Sequence, residues 1–264
     1  MFRAGLAGFA LAVLPLAASA CIIPAHSMTD MPETVVQHDG SGIYRAWFDG
    51  PTTHYTHGVL GDAVEATELW AESPGSANSC ATLNIRLDAD HVFEDLAPRL
   101  QDLDGDGAAE VIVVRTHVDR GAQLAIYGDA GNGADLRLLA ATPYIGRTRR
   151  WLAPIGAADL DGDGRVEIAY IDRPHLARTL RVWRYDRGRL EQVAAISGLT
   201  NHRIGEAFIS GGIRDCGAGP EIVTADADWT QVMVTRLDAE GGLNAHAVAD
   251  FTRPAMGDVL ACRR

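Results

Sequence analysis

The sequence predicts an all-β fold, a small β-propeller of about four four-stranded blades carrying Asp/Gly calcium loops. Three observations lead there. Segments of one grammar recur at 101–115, 158–172 and 212–226, with a shorter copy at 57–71 that lacks the Asp/Gly loop. Their anchoring acids are Glu65, Glu110, Glu167 and Glu221, spaced 45, 57 and 54 residues apart. Short β-rich runs punctuated by Gly and Asp fill the chain, and no segment sustains a 3.6-residue apolar period.

Each unit is expected to start with an apolar strand leading into the loop: Leu96 to Leu103, Trp151 to Leu160, Phe208 to Ile213. A β-branched strand follows, at Val111–Val114, Ile168–Ile171 and Ile222–Thr224. After a polar turn come the third strands, Leu124–Tyr127, Leu180–Trp183 and Val232–Val234. The last strands are Leu136–Ala141, Leu190–Ala195 and Ala245–Phe251. Met256–Leu260 resembles the start of another unit and is expected to donate a strand that closes the ring, which would remove exposed sheet edges.

Two loops carry the chemistry. Asp102, Asp104, Asp106 and Glu110 share the pattern D-x-D-G-D-G-x-x-E with Asp159, Asp161, Asp163 and Glu167. Calcium is a hard cation that takes six to eight oxygen ligands. Alternate aspartates in a tight turn bring carboxylates inward, and Gly107 and Gly164 permit the bend that returns the Glu. Four carboxylates so close would otherwise repel. An EF-hand is excluded, because its bidentate Glu falls at position twelve, where this chain has Val113 or Tyr170. The expected cofactor is therefore Ca2+ at two sites, with a structural role. The third copy has lost the ligands, with Ile213, Asp215 and Gly217 at those positions, and Arg214 is expected to pair with Asp215 or Glu221.

These loops, their follow-on strands and their spacing resemble the FG-GAP/VCBS repeats of integrin-α-like β-propellers, over roughly residues 50–260. The resemblance implies that each loop joins the first two strands of a blade and binds calcium through the eight acids named above. Propellers of that family commonly have about seven blades, whereas this chain has room for about four. The family includes adhesion, carbohydrate-associated and scaffold members, so the fold does not fix the function.

The chain's ends and charge bound its setting. Residues 1–20 have the layout of a signal peptide: Arg3, an apolar run from Ala4 to Ala17, then Ala18-Ser19-Ala20. Export to the periplasm or the extracellular space is expected. Cys21 leaves two readings open, acylation as a lipoprotein or a thiol free to pair. Residues 21–41 read as an arm or linker, and 42–264 as the propeller. Four cysteines permit three pairings, and Cys216 with Cys262 is the preferred one. A formal charge of −12 argues against nucleic acid and anionic membrane. No later stretch is apolar enough to span a membrane. A monomer is expected.

If the acid loops share one end of the ring, two other loop sets share the opposite end. They hold His57, Glu94, Asp95, Arg150, Trp151, His202 and Arg203, then His117, His175 and Trp229. Loops on a rigid scaffold are the usual home of binding residues. Trp stacking with Arg and Asp hydrogen bonds would suit a protein or glycan partner. The competing expectation is a hydrolase-like enzyme using His117 with Asp119 or Asp172 with His175. No G-x-S-x-G, H-E-x-x-H or Walker loop supports it, so the expectation is a non-enzyme.

Overall fold

The computed structural model describes residues 29–39, 41–74, 80–132 and 134–263. The leader at 1–20 and Cys21 lie outside the described residues, as does the side chain of Cys80.

The short runs pair antiparallel in chain order, as their turns dictate. A first group comprises β1 (Val36–Gln37), β3 (Arg45–Thr52), β4 (Glu65–Pro74) and β5 (Cys80–Arg86), in that spatial order. Between β1 and β3, β2 (Ser41–Gly42) crosses to pair in parallel with the next group. That group comprises β6 (His91–Phe93), β7 (Arg99–Gln101), β8 (Ala108–His117), β9 (Gly121–Asp129) and β10 (Leu136–Ala141). Both β6 and β7 pair with β8, as two halves of one interrupted strand. A bridge from Ala66 to Phe93 joins the two groups into one ten-stranded sheet. A third group orders β11 (Leu152–Ala158), β12 (Glu167–Asp172), β13 (Thr179–Asp186) and β14 (Arg189–Ser197). In the last, β15 (Leu199–Thr200) and β16 (Gly212–Asp215) both pair with β17 (Pro220–Asp226), followed by β18 (Gln231–Leu237) and β19 (Leu243–Asp250). The architecture is all-β and β-propeller-like.

Period-two alternation explains the packing. Successive side chains of a strand point to opposite faces, and here both faces are covered. On β8, Val111 and Val113 pack with Phe48, Leu69 and Leu83 of the first group, while Ile112 and Val114 pack with Leu152 and Tyr170 of the third. On β12, Ile168 and Tyr170 face the second group, and Ala169 and Ile171 face Ile222 and Leu237 of the last. Burying each Val, Ile or Leu contributes roughly 1.5–3 kcal/mol.

Four expectations need correction. Met256–Leu260 is not a closing strand but the body of helix α1 (Arg253–Leu260). The Thr252 hydroxyl accepts from the Ala255 amide at 3.0 Å, and Pro254 occupies the first turn, where its missing N–H costs nothing. Ala255, Met256 and Val259 form one helical face, buried against Val223, Ala225, Val232 and Val234. The segment 57–71 is not a copy of the acid-loop units. Ala66 pairs with Phe93, which pairs with Arg115 near the end of β8, whereas Glu110 stands near its beginning. Glu65 thus lies about 20 Å from the acid-loop end, at the far end. The described part of the segment read as an arm is not free chain: it holds a 3-10 turn at Pro32–Thr34 and strand β1, and Thr34 receives the Phe48 amide at 2.9 Å. Lead-in strands are also shorter than expected. Over 96–103 only Arg99–Gln101 pairs, because Pro98 lacks a donor and the Asp95 carboxylate takes the Leu96 and Val114 amides at 2.9 and 3.1 Å.

Candidate metal loops and the opposite loop face

The two acid loops are built on one frame. In the first, Asp102 accepts from the amides of Gly105 and Gly107 at 2.8 and 2.9 Å. Asp104 accepts from Asp106, Asp106 from Ala108, and Glu110 from Leu103, at 3.2, 2.7 and 2.9 Å. In the second, Asp159 accepts from Gly162 and Gly164, Asp161 from Asp163, Asp163 from Arg165, and Glu167 from Leu160, at 2.9, 3.0, 3.2, 2.9 and 2.9 Å. Gly107 and Gly164 have φ of 90° and 86°, the left-handed conformation the turn requires.

Asp102, Asp104 and Glu110 bring one carboxylate oxygen each within 4.8 Å of one another, and so do Asp159, Asp161 and Glu167. All-carboxylate oxygen donors suit a hard divalent cation. Asp106 and Asp163 fall outside those groups, and Asp163 is bound by Arg165 at 2.6 Å. Burial pushes the Glu110 carboxyl up to about 7, with the Leu103 amide opposing and the three aspartates adding to the rise. Burial also raises Glu167, opposed by the Leu160 amide and by Arg184. Arg184, on β13, reaches Glu167 and Asp161 at 2.6 Å each and Asp163 at 3.3 Å. In the degenerate third copy, Arg214 and Arg236 bind Glu221 at 2.8 and 2.7 Å, as the sequence led us to expect for Arg214. Cys216 is joined to Cys262 beyond α1, the pairing the sequence favoured, so the bridge ties the helix rather than a closing strand to this loop.

At the far end, His57, Trp151 and His175 line one shallow pocket with Arg149, Arg150, Arg173 and Leu176. His202 lies beneath, bonded to His175 at 3.0 Å and to the Glu206 carbonyl at 2.9 Å. It also stands edge-on to Trp151. Burial, then the neighbouring His202 and His57, hold His175 down at about 4. His57 Nδ1 bonds the fully buried Glu94, whose other oxygen accepts from Thr116 at 2.7 Å. Burial raises Glu94 and, with Glu94 nearby, lifts Glu65 to about 9.

The remaining expected ligand residues do not join that pocket. Asp95 is buried and clamps Arg99 at 2.7 Å. Arg203 stacks over Trp229, 4.3 Å from the ring centroid. His117 sits with Asp90, His91 and Tyr144. Neither expected acid–base pair forms. Asp172 is held by Arg173 and Arg181, and His117 Nδ1 accepts from the Asp119 amide at 3.0 Å. That bond leaves the proton on Nε2, so Asp90, His91 and His117 do not offer a metal two free imidazole lone pairs. Sequence reasoning missed Arg184 and Arg236, which face the anchoring Glu only through strand register. It also missed Leu176 and Ile204, exposed at 62% and 74% in the far-end loops.

Residues 102–170 match the FG-GAP-like repeat family. None of the curated proteins matches the sequence. Among solved structures, the chain is similar to Sqt1 of Saccharomyces cerevisiae at 10% identity and a TM-score of 0.42. The similarity covers 79% of this chain and 52% of that one, so this chain spans about half of that structure's length.

Proposed function

We propose that this FG-GAP repeat protein is an exported, calcium-stabilised propeller of four blades that acts as a binding or scaffold module for a protein or glycan partner. The observation that carries the binding role is the composition of the far end. Among the described residues, five large hydrophobic side chains are exposed: Val64, Leu138, Leu176, Ile204 and Phe208. All but Leu138 stand in far-end loops or at the start of β4 there. Singly exposed apolar residues are ordinary, but Leu176 shares a pocket with Arg149, Arg150 and Arg173, and an exposed apolar side chain rimmed by arginines suits an interaction surface. Arg149, Arg173, Arg178 and Trp229, in the same loops, hold left-handed φ of 53°, 47°, 47° and 59°. Side chains keep such strained backbone where surrounding structure enforces it, and binding sites are where it collects.

The acid loops serve the other end. Asp102, Asp104 and Glu110 would hold a calcium ion, which supplies the positive charge that keeps the carboxylates together. That ion pins β7 to β8, so the loops opposite are presented on a stiff frame. The partner-binding role is tested by Leu176→Asp with Ile204→Asp, scored by capture of surface or secreted partners with crosslinking. Capture should fall at least tenfold while the circular dichroism spectrum is kept. Undiminished capture by the folded variant would remove this face.

A second reading, a hydrolase-like enzyme, rests on the His57–Glu94 pair at the pocket mouth. Glu94 is buried beneath His57 and spent on Thr116, an arrangement that also suits a structural brace. Turnover of model ester or glycoside substrates that is abolished by His57→Gln would favour it.

A further inference from the structure

We infer that the two acid loops, alike in sequence and frame, are not two equivalent metal sites: Arg184 is the resident cation of the second. This inference rests on the calcium reading above and refines it.

Register sets the difference. Glu167 on β12 is paired directly with Arg184 on β13. In the second group, Val111 pairs with Tyr127, which places Gly128 opposite Glu110. In the last, Ile222 pairs with Thr235, which places Arg236 opposite Glu221. One structural position therefore carries Gly128, Arg184 and Arg236 in turn. At Gly128 a Cβ would meet the tip of the Leu139 side chain at 2.8 Å, and glycine leaves that position without a cation. Among the described residues, no Lys, Arg or His makes an ion pair with Asp102, Asp104, Asp106 or Glu110.

Charge follows the same order. The first loop has four acids and no ion-paired guanidinium among the described residues: Arg137 lines the same hollow but donates to the Asp129 carbonyl at 3.4 Å. The second has four acids, with Arg184 bonded to Asp161 and Glu167 and the exposed Arg165 on Asp163. The last keeps Asp215 and Glu221, and Glu221 is held by Arg214 and Arg236. Arg184 takes up oxygens of two of the three carboxylates that converge in its loop, and its side chain is 15% exposed. A metal entering there must displace two charge-assisted hydrogen bonds from a largely desolvated cation. Such bonds place the second site about a hundredfold weaker than the first. The second loop keeps its shape without metal, and the first depends on it.

The test is calcium stoichiometry of the mature chain by native mass and calorimetric titration with CaCl2. Wild type is expected to bind one ion tightly. Arg184→Gln is expected to bind two, with the new site strengthened about a hundredfold. Asp104→Asn alone should lose the tight ion, and combined with Arg184→Gln it should bind one. Two ions of similar affinity in the wild type would overturn the inference and leave the calcium reading standing. A folded Arg184→Gln protein that still binds one ion would overturn it equally. No binding in any of these proteins would remove both.

Discussion

Glu65 is a residue whose ionisation weighs on the fold. It is buried at the far end, and desolvation with the nearby Glu94 lifts its carboxyl to about 9. In the unfolded chain it titrates near the ordinary value of about 4.3. The folded protein therefore holds a proton that the unfolded chain releases between those values, and stability falls as pH rises through that window. Glu65→Gln removes the dependence. Its melting temperature should exceed wild type by several degrees at pH 8, and the two should converge near pH 4.5. A gap that does not change with pH would contradict the account. The sequence offered Glu65 as an anchoring acid of the repeat, because its local context mimics Glu110 and Glu167. Each stands at or near the start of its strand, and what separates them is which end of the fold that start reaches, set by pairing of Ala66 with Phe93, residues 27 apart in a chain read locally.

At the scale of elements, the acid loops were legible because every bond in them is local: Asp102 to Gly107 and Leu103 to Glu110 span only a few residues. Helix α1 was not, although Thr252 and Pro254 are good helix-start signals. Met256–Leu260 resembles the start of another unit, and the apolar face of β17 and β18 that α1 covers is visible only once the strands are paired. The Cys216–Cys262 bridge closes a separation of 46 residues and fastens the end of α1 to the degenerate loop. Cys262→Ser should cost about 2–4 kcal/mol and release the helix first. Amide exchange of residues 255–261 would rise before that of β17; equal protection with and without the bridge would deny it this role. Arg214→Ala strips one of two cations from Glu221 and should destabilise the protein by about 1–3 kcal/mol in urea unfolding.

The whole molecule divides its labour between two ends. In the proposed reading, acid loops at one end fix neighbouring strands, and arginines and exposed apolar side chains at the other present a surface to a partner. That rim was only partly legible. His57, Trp151 and His175 converge as expected, but His117 and Trp229 stand in separate clusters, since loop membership fixes an end of the fold and not a position on it. Calcium should act on the whole fold by linkage: at a hundred times its dissociation constant it stabilises by about 2.7 kcal/mol, and a chelator should lower the melting temperature correspondingly.

Amide hydrogen exchange of chelated protein with and without added calcium tests the two-loop account most directly. Added ion should protect the amides of Leu103, Gly105 and Gly107 strongly, and leave those of Leu160, Gly162 and Gly164 as they were. Equal protection of both loops, or of neither, would contradict it.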